Sequence, residues 1–324
     1  MRRRCLWFCA CLSLIACSRA APSSTPRAAV DVASAKQESN GAAQGEPGAR
    51  GYLAWGYHKE QLVSRWYSLE RGHVVEAGSA PAVMIADGDT VWRIDHQETK
   101  LELPSCAVIL GTTGPDDSKG EGTLTQVWAQ ELGGARRHML VSAERPEGAT
   151  EYQHSVRMLG SVGTLLFLEE SEYDYSCGAH GGTSKGFVAA DVKSGFNTDV
   201  LTPTERSKID RAEGVLARRW FLGEGVFPED DGDGVELVRL VPHYVRGALT
   251  VDALFAAPTC YACSDGEWSS YTTTKSIELA VIPARLREGS RLPASLQAEL
   301  EELDVRGFSR LSKANLDRLS QPQP

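Results

Sequence analysis

From residue 51 to about 159, apolar and polar positions alternate in short runs separated by turn residues. The runs at 52–57, 63–69, 83–86, 90–94, 107–110, 124–129, 138–142 and 154–159 predict strands. Asp87-Gly88 stands between two of them and marks a hairpin. Spacing this close predicts antiparallel sheet. Trp55, Trp66, Trp92 and Trp128 recur at irregular intervals without a repeating blade signature, so no propeller is expected.

The pattern changes after residue 160. The runs at 163–170 and 187–192 are strongly apolar. Thr202-Pro203-Thr204-Glu205 has the form of a capping box with proline at the first helical position. Ile209, Ala212, Val215, Leu216 and Trp220 follow at helical spacing, predicting one main helix over about 203–220. Strands resume at 237–245, 249–255 and 276–282, and the tail at 293–303 and 308–319 reads as two short helices. The expected class is therefore α+β: an antiparallel β-rich lobe over 51–159, followed by an α+β lobe over 160–324.

The first residues carry no fold pattern. Arg2, Arg3 and Arg4 precede an apolar run of 12 residues, Cys5 to Ala16. A bilayer span takes about 20 residues, so this reads as a secretory signal over 1–16. Leu14-Ile15-Ala16-Cys17 resembles a lipobox, which predicts cleavage before Cys17 and lipid on that cysteine. Ser18 follows, without the aspartate that marks inner-membrane retention, so the outer membrane of a diderm bacterium is the expected destination. Residues 18–50 are rich in Ala, Ser, Pro, Gly and Gln and hold too little apolar surface to offset ordering entropy. With Cys17 they form an expected lipidated, flexible tether.

Composition narrows the function classes. The net charge of −9 falls to −12 once the three arginines of the signal are removed. Such a chain does not suit nucleic acid, which calls for a basic face. After processing, Cys106, Cys177, Cys260 and Cys263 remain beside the lipidated cysteine. An even number in an oxidising compartment predicts two disulfides. Three connectivities are possible; the close spacing of Cys260 and Cys263 favours their pairing together with Cys106–Cys177, and the alternative joins Cys177 to the 260–263 turn.

Residues 172–195, EYDYSCGAHGGTSKGFVAADVKSG, carry a resemblance. A tyrosine-containing strand leads into Gly178-Ala179-His180-Gly181, and the next strand ends in Asp191-Val192-Lys193-Ser194-Gly195. Leu201–Glu205 then fits a threonine-rich helix entry, and Ile282-Pro283-Ala284-Arg285-Leu286 echoes a closing strand. Over about 160–288 the chain resembles an envelope domain family of unknown function. That family accompanies some membrane-bound peptidoglycan deacetylases and forms the outer domain of a lysozyme-sensing anti-sigma factor. Cys177 stands where the family usually has glycine. No carbohydrate-esterase Asp/His motif occurs in 51–160, so the resemblance implies a fold and an envelope location more than an activity.

Candidate chemistry is sparse. Cys177, His180 and Asp174 have the types of a thiol nucleophile, its base and an orienting acid. The weightier reading is a disulfide cysteine and a turn histidine, with Gly178, Ala179, His180 and Gly181 as a candidate ligand-binding turn and the glycines at 178, 181 and 182 supplying positive φ. Cys260-Tyr261-Ala262-Cys263 could join Cys177 and His180 in a zinc site or act as a redox pair. Glu229, Asp231 and Asp233 alternate as in a calcium loop, but the twelfth-position glutamate of an EF-hand would fall at Leu240. Glu170, Glu172 and Asp174 would share a strand face, a spacing that a glycosidase could use. The favoured expectation is a non-enzymatic lipoprotein without a cofactor. It would be membrane-bound through its lipid and would bind peptidoglycan or an envelope protein. An envelope enzyme or metal protein using Cys177, His180, Cys260 and Cys263 is the alternative.

Overall fold

The computed structural model describes residues 49–112, 119–144, 147–226, 234–289 and 291–321. Strands Gly51–His58 (β1), Gln61–Glu70 (β2), His73–Ala80 (β3), Val83–Asp87 (β4) and Thr90–Leu103 (β5) lead to a short helix, Cys106–Leu110 (α1). Gly120–Glu131 (β6), Arg137–Val141 (β7), Glu151–Val162 (β8), Leu165–Tyr175 (β9) and Gly182–Asp191 (β10) follow. Helix Pro203–Ile209 (α2) continues through a π-helical turn, Asp210–Gly214, into Val215–Gly223 (α3). Glu236–Val245 (β11), Ala248–Pro258 (β12), Thr272–Glu278 (β13), Ala294–Gln297 (α4), Asp304–Leu311 (β14) and Lys313–Leu319 (α5) complete the chain.

The strands form three sheets among the described residues, in the orders β14-β1-β2-β3, β10-β9-β8-β6-β5-β4 with β7 on β6, and β11-β12-β13. Pairing is antiparallel except between β6 and β8, which run parallel from Glu121↔Glu151 to Thr123↔Gln153. The expected α+β class is thereby corrected. The fold is mostly β-sheet in both halves, with few and short helices. The tail explains part of the error. Residues 308–311 belong to β14, whose Val305 and Phe308 are buried and which pairs with β1 from Leu311↔Gly51 to Asp304↔Tyr57. A partner more than 240 residues away overrides the local helical spacing. The position expected to divide two lobes, 159/160, lies inside β8. The described residues all belong to one compact unit.

The main helix forms where its cap predicts. Thr202 Oγ1 accepts from Glu205 N at 3.2 Å, while Glu205 Oε2 accepts from Thr202 N at 3.0 Å. Glu205 Oε1 also accepts from Ala284 N at 2.8 Å, tying the helix start to the segment that buries Leu286. Phe221, Phe255 and Phe167 lie at the centre of the largest apolar cluster. A second cluster gathers Trp55, Trp92, Ile85 and Leu166 between the sheets.

One relationship between sheets positions the site. The odd-numbered residues of β8 and β9 share a face, with Arg157 opposite Glu169, Ser155 opposite Ser171, Gln153 opposite Tyr173 and Glu151 opposite Tyr175. Strand β11 covers the Arg157–Glu169 end. There Arg239 binds Glu169, which is 3% exposed and also meets Arg157 at 2.9 Å and Lys185 at 3.7 Å. The Glu151–Tyr175 end of the same face is not covered by β11.

Candidate ligand-binding surface

The open end of this face is bordered by two disulfide-closed segments. Cys106 at the start of α1 is bonded to Cys177 just after β9, and Cys260 to Cys263 in the loop between β12 and β13. Thr150 clamps the end of β9, its amide and hydroxyl donating to the Tyr175 carbonyl at 2.7 and 3.0 Å. Cys177 has φ 59°, a left-handed conformation that costs a side-chain-bearing residue about 1–2 kcal/mol. That is the position at which the resembling family usually has glycine.

The glycines of the turn play a different part from the one expected. Among residues 177–182 positive φ belongs to Cys177, not to Gly178, Gly181 or Gly182. Gly181 leaves room for the Tyr173 ring, since a Cβ there would stand 2.5 Å from it and the ring would have to swing aside. The two tyrosines of β9 therefore reach the turn by different routes. Tyr173 lies over Gly181, and the Tyr175 hydroxyl donates to the Gly178 carbonyl at 3.1 Å.

The 259–271 loop brings more aromatic rings to the same edge. It docks on β10, where Thr183 N donates to Ser270 Oγ at 2.8 Å and Ser270 N donates to Thr183 O at 2.9 Å. Within the loop, Asp265 Oδ2 accepts from Thr274 N at 2.6 Å and from the Thr274 hydroxyl at 2.8 Å, and Oδ1 accepts from Glu267 N at 3.0 Å. Burial pushes the Asp265 carboxyl up, but these hydrogen bonds outweigh it and hold its pKa below the usual carboxylate range. Glu267 reaches down to Arg239 at 3.0 Å and Lys185 at 3.9 Å, so the charged cluster under β11 also holds the loop.

The outcome is an exposed aromatic surface. His180 stacks on Tyr261 with ring centroids 4.2 Å apart and an interplanar angle of 23°. Tyr261 meets Tyr271 at 5.8 Å and 57°, so the two rings form an angled pair. Tyr261 is 47% exposed and Tyr271 55%. Rings of this kind present an apolar face and a polar edge, and their two-torsion side chains lose little entropy on contact.

Beside them lies a cavity of about 670 Å³ against the Cys106–Cys177 bridge, walled by Tyr152, Tyr173, Tyr175, Glu121, Glu151 and Lys119. Burial, then the neighbouring Glu172 carboxylate, push the Tyr152 hydroxyl up to about 12. Burial and the Glu151 carboxylate also raise Tyr173.

The sequence-predicted residues divide as follows. His180 belongs to the surface, whereas Cys177, Cys260 and Cys263 have their sulfurs in disulfides. That removes the thiolate that a nucleophile, a zinc site or a free redox dithiol would use. Glu170, Glu172 and Asp174 do share one face of β9, opposite to the face carrying Tyr173 and Tyr175. Glu170 there approaches His154 at 3.5 Å. Cys17, the expected tether and the acidic trio Glu229, Asp231 and Asp233 lie outside the described residues. Tyr261, Tyr271, Glu121 and Glu151 were not singled out by sequence. Only the i, i+2 spacing of Tyr173 and Tyr175 signals a shared face.

No family model and no curated protein matches the sequence. Solved structures with a distant likeness include the following two. A DUF3298 family protein from Pseudomonas aeruginosa PAO1 is 15% identical, with 62% of this chain and 95% of that one covered at a TM-score of 0.32. A DUF3298 family member from Bacteroides fragilis NCTC 9343 is 9% identical, with 65% and 97% covered at a TM-score of 0.30. Both neighbours are DUF3298 family proteins, and likeness at this level carries neither architecture nor activity across to this chain.

Proposed function

We propose that this chain is a non-enzymatic lipoprotein of the cell envelope, anchored through Cys17, whose stapled aromatic surface binds cell-wall material. The observation that carries the reading is the stacked pair His180–Tyr261, standing exposed beside Tyr271 on two disulfide-closed segments. Exposed rings are normally a liability, and fixing them in place suits a surface that meets a partner. Sugar rings present C–H faces that lie flat on aromatic rings, while their hydroxyls suit the polar edges of the same rings. The basic start of the sequence, the lipobox-like Leu14-Ile15-Ala16-Cys17 and the paired cysteines support the envelope location. Use of all four remaining sulfurs in disulfides weighs against the enzyme alternative.

Cosedimentation of the detergent-solubilised full chain with purified cell-wall sacculi tests this. The wild type is expected to pellet with the sacculi, and Tyr261→Ala/Tyr271→Ala to remain in the supernatant with an unchanged unfolding midpoint. Equal pelleting of the two proteins, or none by the wild type, contradicts the reading.

A further inference from the structure

The cavity beside the Cys106–Cys177 bridge has two glutamates in its wall, Glu121 and Glu151, that form no ion pair among the described residues. Glu121 and Glu151 are register partners on the parallel strands β6 and β8, so their side chains stand on one face about 4.8 Å apart at the backbone. Like charges set directly side by side across strands oppose each other. Neither glutamate is in an ion pair among the described residues, and the one lysine in the wall, Lys119, is tied to Glu102 at 2.7 Å. The next position in the same cross-strand row is Tyr175, and Tyr173 lies one row along.

The chemistry of this wall selects a class of ligand. A hard divalent ion such as calcium takes six to eight oxygens in an all-oxygen shell. Here Tyr173 and Tyr175 are part of the wall, and aromatic faces attract organic cations. We propose that the cavity binds a protonated amino group carried on a sugar, Glu121 and Glu151 meeting the ammonium and the Tyr173 and Tyr175 rings meeting the sugar's C–H face. This rests on the cell-wall reading above and gives it a ligand class: a glycan bearing free amines.

The test compares two tetrasaccharides that differ only at nitrogen. Glucosamine tetramer, with its amines protonated, and the neutral N-acetylglucosamine tetramer are titrated calorimetrically into the full chain. The amine form is expected to bind at least about tenfold more tightly. In Glu121→Gln/Glu151→Gln that preference is expected to vanish, with the unfolding midpoint unchanged because both side chains are exposed. Tyr175→Phe is expected to keep the preference and Tyr175→Leu to weaken both ligands. Equal or tighter binding of the N-acetyl form, no binding of either, or a preference that survives in the double variant overturns the proposal. The last result would assign the preference to general attraction by an acidic chain. If any of these occurs while the chain still pellets with sacculi, the cell-wall reading stands and only the amine site falls. Absence of pelleting removes the reading itself.

Discussion

The ring of Tyr173 fills the space that a side chain at Gly181 would need, with Tyr173 Cε2 2.5 Å from where a Cβ at 181 would be. A strand residue and a turn residue thus fix each other, and the turn holds His180 against Tyr261. Gly181→Ala is expected to push the Tyr173 ring aside and move His180 off Tyr261. Sacculus binding should fall several-fold while the core, which this contact does not enter, keeps its unfolding free energy within about 1 kcal/mol. An unchanged affinity would show that the turn geometry is irrelevant to binding.

Arg239 is 8% exposed and neutralises Glu169 from β11 while holding Glu267 of the 259–271 loop. Removing one partner of a buried ion pair strands the other. Arg157 and Lys185 remain beside Glu169, so the low end of the usual range applies. Arg239→Ala is expected to destabilise the fold by about 3 kcal/mol in urea unfolding. Because the loop loses an anchor as well, Tyr271 should become more accessible to acrylamide quenching or nitration. A loss under 1 kcal/mol would mean that the cluster contributes little.

The two disulfides contribute unequally. The Cys106–Cys177 bridge spans 71 residues and Cys260–Cys263 only 3. Loop-closure entropy assigns about 4 kcal/mol to the first and about 2 kcal/mol to the second. Cys106→Ala/Cys177→Ala is therefore expected to lower stability about twice as much as Cys260→Ala/Cys263→Ala. Binding should respond in the same way to both, since each pair holds one side of the aromatic surface. Mass mapping of the unreduced protein should find no alkylated thiol at any of the four positions.

Acid is expected to loosen the 259–271 loop. The Asp265 pKa is held below its unfolded value by hydrogen bonds to its carboxylate. Its contribution is therefore present above the unfolded value, about 3.9, and is lost as pH falls through the lower folded value. The accessibility of Tyr271 should rise as pH falls below about 4. In Asp265→Asn the loop should already be loosened at neutral pH, with no further acid step from this group. A loosening step in the wild type centred well above pH 4 would point to another group.

Strands were legible where one face is buried and the other wet. β8 runs exposed-buried-exposed through its first seven residues, and the period shows in the sequence. β3 was missed because His73–Ala80 is largely exposed and lacks an apolar alternation. Residues 107–110 read as a strand but form α1, because Ser105 Oγ accepts from Val108 N at 3.4 Å and Gly111, at φ 64°, ends the turn. The capping box at Thr202 was legible because its whole signal spans four residues. The aromatic surface was not. His180 and Tyr261 are 81 positions apart in sequence, and nothing local to either indicates that β10 and a disulfide-closed loop bring them together.

The most direct test of the aromatic surface is tyrosine-selective NMR of the full chain, whose nine tyrosines give nine signals. Soluble cell-wall fragments are added and each signal is followed, with assignment by single Tyr→Phe variants. The account predicts that Tyr173, Tyr175, Tyr261 and Tyr271 shift together along one binding curve, while Tyr52, Tyr67 and Tyr244, buried in the core, do not move. Shifts confined to other tyrosines, or no shift at saturating fragment, would contradict it.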